Sequence, residues 1–410
     1  MCPEFQRKAA GAPRMDAMLA RCVLTAALAL QAAAAARAVE IEIGVASRGV
    51  VDGLEFVQFS ADERTMATTH WGNVVHLWDL KTLRVRSSVS VANRDFDFDL
   101  SPDGRALAVW NEEGKGEIEL YDTDNGQPAR ALPAPRLPQG ESRRGRSLVY
   151  RDDGTLEFVS HGWIGGHARK AYLLAVPAGQ PRAAETPLPA LVNSVAFRKS
   201  AVMDQGRLLL AGVDGADDEL AIMDIASGRM LAREPGFRIA SYAADARRAV
   251  FVEADGKQRI LAFDFSSRSL STLPRWTGSG KFQPYRFVAG TRFLVLAPDE
   301  PDASTRRAAP GIYDLQTRRL HRLPPDADPG SIDVWGATAS YVLCNPDHTA
   351  CQAEVADLAI SRKLGTFAVQ PSADFRTWIS PSGSMVVVGG ADDGTMMVWS
   401  VKEQRVIGPN

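Results

Sequence analysis

The chain has 410 residues, of which 45% are hydrophobic and 23% are charged, and its formal net charge is −2. A near-balanced charge argues against a nucleic-acid partner, which favours a clearly basic surface, and we expect none. The composition is that of an ordinary globular chain, which excludes disorder over a long span.

Residues 1–38 have the features of a secretory signal peptide. Arg21 supplies a positive charge, Val23 to Ala36 form an apolar run, and Ala36-Arg37-Ala38 gives the small residues that signal peptidase needs. We therefore place cleavage after Ala38, with a retained N-terminal anchor as the alternative. The run is shorter than the roughly 20 residues of a membrane span, and we expect no transmembrane segment in the chain.

The mature chain, residues 39–410, then carries 42 basic and 47 acidic side chains, a net charge of −5. It keeps only two cysteines, Cys344 and Cys351, on either side of a turn-rich stretch. A disulfide between them fits an oxidising compartment, with two unpaired thiols as the alternative. Zinc is not expected, because His348 is the one further ligand nearby and a structural site needs four. The sequence therefore predicts a periplasmic or secreted protein.

Two registers recur through the mature chain, and successive units, counted by the first register, are 41 to 50 residues apart. In the first, a large hydrophobic residue ends a short alternating run, and the positions are Phe59, Leu100, Tyr150, Phe197, Tyr242, Phe287, Trp335 and Ile379. In the second, six of eight positions are an apolar residue followed by Asp, as in Trp78-Asp79. This period is typical of a four-stranded propeller blade. The pattern predicts one all-β domain, an eight-bladed β-propeller, with seven blades as the alternative.

The two terminal units carry a resemblance to a known family. The last unit, residues 386–400, and the first, which ends in Trp78-Asp79, resemble WD repeats. The resemblance implies that Asp393 hydrogen-bonds inside its own blade and that Trp78 and Trp399 pack between blades, so these residues and Asp79 are expected to be structural. Ser-Pro-Asp-Gly turns such as the one at residues 101–104 are also similar to those of TolB-like periplasmic propellers.

Ring closure is predicted from the two ends of the mature chain. The last unit stops at Asn410 with little room for a complete fourth strand, while Val39 to Ile43 alternates cleanly between apolar and acidic residues. We expect this N-terminal strand to complete the last blade and to hide two exposed edges.

No motif in the sequence indicates catalysis. There is no nucleophile elbow and no phosphate-binding glycine loop, and carboxylate pairs such as Asp152-Asp153 fall in turns. The spacing of His161 and His167 matches no metal pair. The recurring tryptophan docking motif of quinone-dependent dehydrogenases is also missing. We therefore predict no catalytic, cofactor-binding or metal-binding residues, and a protein that is not an enzyme.

The long insertions are predicted to share one face. If the strands of a blade are called a to d outward, the d–a and b–c connections emerge on one side and the a–b and c–d turns on the other. The insertions all belong to the first set, and they are residues 133–146, 161–170, 276–284 and 297–311. Neutral drift of loop length is the alternative explanation.

The favoured function is a non-catalytic scaffold that binds a protein partner as a monomer. Aromatic and arginine side chains are typical of interface hot spots. The candidates on the insertion-rich face are Trp163, Trp276, Arg143, Arg144, Arg146, Arg306 and Arg307. The alternative is an enzyme or small-ligand receptor with its site in the central channel. Polar residues at the start of inner strands are expected to line that channel, namely Glu55, Asp97, Asn193 and Asp333.

Overall fold

The computed structural model describes residues 54–407 apart from the segments 71–72, 92–95, 112–116, 134–141, 165–166, 179–183, 188–196, 204–207, 214–218, 225–226, 245–247, 254–258, 274–281, 288–292, 299–308, 318, 371–373 and 391–395. The described residues belong to one compact unit, Glu40–Asn410. They form antiparallel strands, and the one helical element among them is the short 3-10 turn Pro329–Ser331.

Within the described ranges, thirty-two strands make eight four-stranded sheets, each a meander in chain order. Sheet 1 contains β1 Leu54–Phe59, β2 Thr65–His70, β3 Val74–Asp79 and β4 Arg84–Ser90. Sheet 2 contains β5 Phe96–Leu100, β6 Ala106–Asn111, β7 Glu117–Asp122 and β8 Pro128–Pro133. Sheet 3 contains β9 Ser142–Tyr150, β10 Leu156–Ile164, β11 His167–Val176 and β12 Ala184–Pro187. Sheet 4 contains β13 Phe197–Met203, β14 Leu208–Val213, β15 Glu219–Asp224 and β16 Met230–Pro235.

The second half of the chain repeats the pattern. Sheet 5 contains β17 Ile239–Ala244, β18 Arg248–Glu253, β19 Ile260–Asp264 and β20 Ser269–Thr272. Sheet 6 contains β21 Phe282–Phe287, β22 Phe293–Pro298, β23 Gly311–Asp314 and β24 Arg319–Arg322. Sheet 7 contains β25 Asp333–Trp335, β26 Thr338–Cys344, β27 Cys351–Asp357 and β28 Arg362–Val369. Sheet 8 contains β29 Phe375–Ile379, β30 Met385–Gly390, β31 Met396–Ser400 and β32 Arg405–Ile407.

This architecture is an all-β propeller of four-stranded antiparallel blades, as the 41–50-residue period predicts. The first strands of successive sheets contact one another, for example β1 with β5 and β5 with β9. The core lies between sheets rather than inside any one of them. One buried cluster joins Leu77 of sheet 1 to Leu107 and Val109 of sheet 2. The burial pattern follows, because the second and third strands are covered on both faces by neighbouring sheets.

The prediction about ring closure is wrong. The outer strand of sheet 8 is Arg405–Ile407, which pairs with β31, so the last sheet draws all four of its strands from the C-terminal part of the chain. The prediction assumed that the C-terminal residues were too few for a fourth strand, but a strand of three residues is enough. Val39 to Ile43 lie outside the described residues.

Sheets 8 and 1 meet through side chains, with each sheet complete in itself. Leu54 of β1 and Val387 of β30 share one buried cluster, and Gly389 has no room for a Cβ because the Leu54 side chain fills that space. Polar contacts flank this packing. The Glu63 carboxylate accepts a hydrogen bond from the Ser382 hydroxyl at 2.7 Å, and the Arg376 guanidinium donates to the Glu55 carbonyl at 3.0 Å.

Trp399 packs between blades, as the WD resemblance implies. It is 1% exposed, stacks on Phe367 of sheet 7 with ring centroids 6.3 Å apart, and covers Gly365. Trp78 is equally buried, and its indole N–H donates to the Thr68 hydroxyl at 2.9 Å. Asp393 lies outside the described residues.

Candidate functional site

The edge of the propeller that carries the a–b and c–d turns, here called the turn edge, uses its acidic residues to hold the backbone. The aspartate that ends most third strands accepts hydrogen bonds from the N–H groups two and three residues later. Asp79 Oδ1 accepts from Lys81 and Thr82, both at 2.9 Å. Equivalent contacts occur at Asp122, Asp224, Asp264, Asp314 and Asp357. These carboxylates are structural, as expected for Asp79.

The pKa values at the turn edge follow from these contacts. Burial alone would raise the pKa of Asp79, but the Thr82 N–H and the Arg86 guanidinium outweigh it and lower the pKa. The Ser227 hydroxyl and N–H, with the Arg268 guanidinium, lower the pKa of Asp224 to about 2. Arg268 belongs to sheet 5 and lies 2.7 Å from Asp224 of sheet 4, so this ion pair also joins neighbouring sheets.

A groove opens on the turn edge between sheets 2 and 3. Its volume is about 450 Å³, within the range of small-ligand pockets. Charged side chains of both signs line it, and they are Asp103, Arg105, Arg130, Asp152 and Asp153. Asp103 and Asp153 already accept hydrogen bonds from the backbone of their own turns. The groove was not predicted, because it is built from turns of two different repeats.

The opposite edge contains a feature that distinguishes sheet 3 from the other sheets. Its strand β10 has nine residues, whereas the second strand of every other sheet has six or seven. Strand β9 has nine residues and β11 has ten. At about 3.3 Å per residue, β10 reaches roughly 10 Å further than a six-residue strand. We call residues 142–146, 160–164 and 167–171 the sheet-3 extension.

The backbone register of the sheet-3 extension brings several predicted partner-binding residues together. Trp163 pairs with Ser142 of β9 and with Ala168 of β11. Arg143 is opposite Gly162, and Arg144 is opposite His161. The pairing shifts by one residue between Ser147 and Gly145, which leaves Arg146 as the extra residue of a β-bulge. Four of the seven candidates therefore belong to one strand pair.

The structure corrects the expected nature of the insertions. Residues 143–146 and most of 161–170 are strand, where long loops were predicted. Phe282–Pro284 also begins β21, and Ala297 and Gly311 belong to strands. The glycines at 162, 165 and 166 suggested a loop, yet hydrogen-bonded pairing continues on both sides of residues 165–166. Trp276, Arg306 and Arg307 lie outside the described residues.

The residues expected to line the central channel do not form one described cluster. Asp333 accepts a hydrogen bond from the Ile379 N–H of the next sheet at 2.9 Å, so it joins two inner strands. Asp97 lies in β5 opposite Trp110. Glu55 is half-buried in β1, and Asn193 lies outside the described residues.

Asp99, which was not predicted from the sequence, is a buried carboxyl at the junction of three inner strands. It accepts hydrogen bonds from the Gln58 side chain of sheet 1, from the Leu100 N–H and from the Tyr150 N–H of sheet 3. Burial raises the pKa of Asp99 to about 7, against the pull of the hydrogen bonds from Tyr150 and Leu100. Strand alternation places Asp99 on the same face as Asp97, but no local signal shows that sheets 1 and 3 close over it.

The cysteine prediction is confirmed, since Cys344 and Cys351 form a disulfide across the β26–β27 hairpin. With His348 they make a group of three potential metal ligands, but in the disulfide neither sulfur is a thiolate. Among the described residues there is no helix long and apolar enough to cross a membrane.

The comparisons with known proteins concern the fold. No family model matches the chain, and no curated protein matches it. The dihydro-heme d1 dehydrogenase NirN in complex with DHE is similar at 18% identity and a TM-score of 0.55, covering 78% of this chain and 67% of that one. A eukaryotic initiation factor is similar at 12% identity and a TM-score of 0.53, covering 88% of each chain. The computationally designed Ika8 protein is similar at 11% identity and a TM-score of 0.52, covering 86% and 98%. At these identities the likeness shows the fold alone.

Proposed function

We propose that the chain is exported and that its mature part, residues 39–410, is a propeller that binds a protein partner through the edge that bears the sheet-3 extension. The observation that carries the proposal is the register that unites Trp163 with Arg143 and Arg144 on strands longer than their counterparts. Function is usually added to a repeated scaffold where one unit departs from the others. The arginines favour an acidic partner surface, and aromatic residues are typical anchors.

The test is a quantitative capture experiment with the mature protein. Trp163→Ala is expected to weaken capture of the partner at least tenfold, which corresponds to about 1.4 kcal/mol. Arg143→Ala and Arg144→Ala should mainly slow association and reduce its sensitivity to salt, because each removes a charge that steers the partner. Lys402→Ala, in a c–d turn of the turn edge, is the matched control. If Lys402→Ala lost capture while Trp163→Ala kept it in full, the partner would bind at the turn edge, and the proposal would be wrong.

We infer further that the eight sheets are eight blades of one WD-type ring, closed by the side-chain contacts between sheets 8 and 1. The Glu63 and Ser382 contact supports this closure. Cysteines introduced at these two positions should be joined by a short bismaleimide in dilute monomeric protein. Crosslinking between different molecules instead would contradict a closed ring and the expected monomer.

Export rests on the leader-like segment and is supported by the disulfide, which persists in oxidising compartments. Mass spectrometry of the exported protein should find Val39 at its N-terminus. Retention of residues 1–38 would favour the anchored alternative.

A second candidate function, a small-ligand receptor or enzyme with its site on the turn edge, is favoured by the groove between sheets 2 and 3. A polar ligand bound there should be sensitive to Arg105→Ala and insensitive to Trp163→Ala. The reverse dependence would support the partner-binding proposal.

A further inference from the structure

The b–c hairpin of sheet 7 places three soft or borderline donor atoms together. Cys344 ends β26 and Cys351 begins β27, and the two residues are direct partners in the ladder with Cα atoms 4.2 Å apart. His348 lies at the tip of the connecting turn. The two Sγ atoms and a ring nitrogen of His348 all lie within 4.8 Å of one another.

We propose that this hairpin is a redox-gated site for one Cu⁺ ion, which binds through Cys344 Sγ, Cys351 Sγ and a ring nitrogen of His348 once the disulfide is reduced. The site is a b–c turn and so belongs to the same edge as the sheet-3 extension, but it uses none of the partner-binding residues proposed above. Thiol-dependent metal binding by residues 39–410 can be assigned to this site, because they contain no other cysteine.

The turn does not depend on the disulfide for its shape. The Asn345 N–H donates to the Ala350 carbonyl at 3.0 Å, and the His348 N–H donates to the Asn345 carbonyl at 2.9 Å. The Asn345 side chain adds a bond to the Thr349 hydroxyl at 3.0 Å and one from the Ala350 N–H at 2.9 Å. The ladder between β26 and β27 continues below the turn. Reduction therefore leaves two thiols and one imidazole already close together.

The donor set selects the ion. Thiolates favour soft cations, of which Cu⁺ and Zn²⁺ are the common ones. Zn²⁺ in structural sites takes four protein ligands. Asp347, in the same turn, accepts a hydrogen bond from the Thr349 hydroxyl at 2.8 Å. Two thiolates and one imidazole complete a three-coordinate Cu⁺ site, whereas Zn²⁺ would need a water molecule as its fourth ligand.

The gating reaction balances in two steps. A dithiol reductant gives two electrons and two protons to the Cys344–Cys351 disulfide and becomes a disulfide itself. Cu⁺ then displaces the two thiol protons and forms two copper–sulfur bonds, so that the bound group carries one net negative charge. A disulfide oxidant that takes two electrons from the two thiolates would re-form the Cys344–Cys351 bond, take up two protons to become a dithiol, and release Cu⁺.

The experiment uses the mature protein, reduced, freed of reductant under anaerobic conditions and titrated with Cu⁺ against a chromophoric Cu⁺ chelator. The reduced protein should bind one equivalent, and the disulfide form none at the same chelator concentration. His348→Asn should weaken binding at least tenfold while keeping the turn, because His348 has φ +54° and asparagine tolerates that conformation. Pro346→Ala in the same turn is the matched control and should bind like the unmodified protein.

Three outcomes would overturn the proposal. They are equal binding by the reduced and disulfide forms, equal binding by the His348→Asn variant, and tighter binding of Zn²⁺ than of Cu⁺. The variant with both Cys344→Ser and Cys351→Ser supplies a thiol-free reference, and its circular dichroism checks that the fold survives without the disulfide.

Discussion

The turn edge and the sheet-3 extension differ in the residues they carry and in how often those residues recur from sheet to sheet. At the turn edge, acidic side chains recur in sheet after sheet and accept hydrogen bonds from their own turns, as at Asp79 and Asp224. In the extension, strands of nine and ten residues exceed every other described strand in length, and they contain Trp163, Arg143 and Arg144. Repetition with local hydrogen bonding indicates a structural role, whereas a departure confined to one repeat indicates where a partner would bind.

The largest effect is expected where sheets pack against each other. Trp399→Ala removes a fully buried indole that stacks on Phe367. Such a truncation should lower the free energy of unfolding by about 3–5 kcal/mol. Urea denaturation of the mature protein measures it. A loss below 1 kcal/mol would show that sheets 7 and 8 are not held together in this way.

A smaller loss of stability is expected at Gly365, where a methyl group is added to the same contact instead of a side chain being removed. A Cβ there would lie 2.5 Å from Trp399 Cζ2, so Gly365→Ala should cost about 1–3 kcal/mol through overpacking. Combining it with Trp399→Phe should recover part of the loss, because the smaller ring leaves room for the methyl group. Strict additivity of the two changes would mean that the contact is not tight.

Trp399 and Gly365 also show how much of the structure could be predicted from the sequence. The period predicted four-stranded blades, and the resemblance to WD repeats implied that Trp399 packs between them. The contact of Gly365 with Trp399, the burial of Asp99 and the groove at Tyr150 each join residues of different repeats, and no spacing encodes them. The sheet-3 extension was located but read as loop, since strands flanked by glycine and arginine have no alternating apolar pattern to reveal them.

The pH dependence of stability should carry contributions of opposite sign from two aspartates. Asp99 has a pKa of about 7 in the folded protein, above the roughly 3.9 of an unfolded chain. Its contribution is fully present below about pH 4 and is lost as the pH rises through about 7. Asp99→Asn should therefore flatten the decline in unfolding free energy over that interval. An unchanged pH profile would show that Asp99 titrates as an exposed carboxyl does.

Asp224 has the opposite sign, because its pKa of about 2 lies below the unfolded value. Its contribution is present above about pH 4 and is lost as the pH falls towards 2. The Asp224 side chain is only 12% exposed, but its pKa departs less from the unfolded value than that of Asp99 does, so the effect should be smaller. Asp224→Asn should reduce the acid sensitivity between pH 4 and pH 2, and Arg268→Gln should give part of the same change through the lost ion pair.

The smallest effect on stability is expected in the sheet-3 extension. Trp163 is the second-last residue of β10, in the part by which that strand is longer than the second strands of the other described sheets. Its backbone pairs with Ser142 and Ala168. A side-chain truncation leaves those backbone hydrogen bonds in place, so Trp163→Ala should change the free energy of unfolding by less than about 0.5 kcal/mol. Measured beside Trp399→Ala, it compares two tryptophans in one protein under one denaturant. A loss above 1 kcal/mol at Trp163 would make the extension part of the structural core, and its role in partner binding would then need evidence separate from its length.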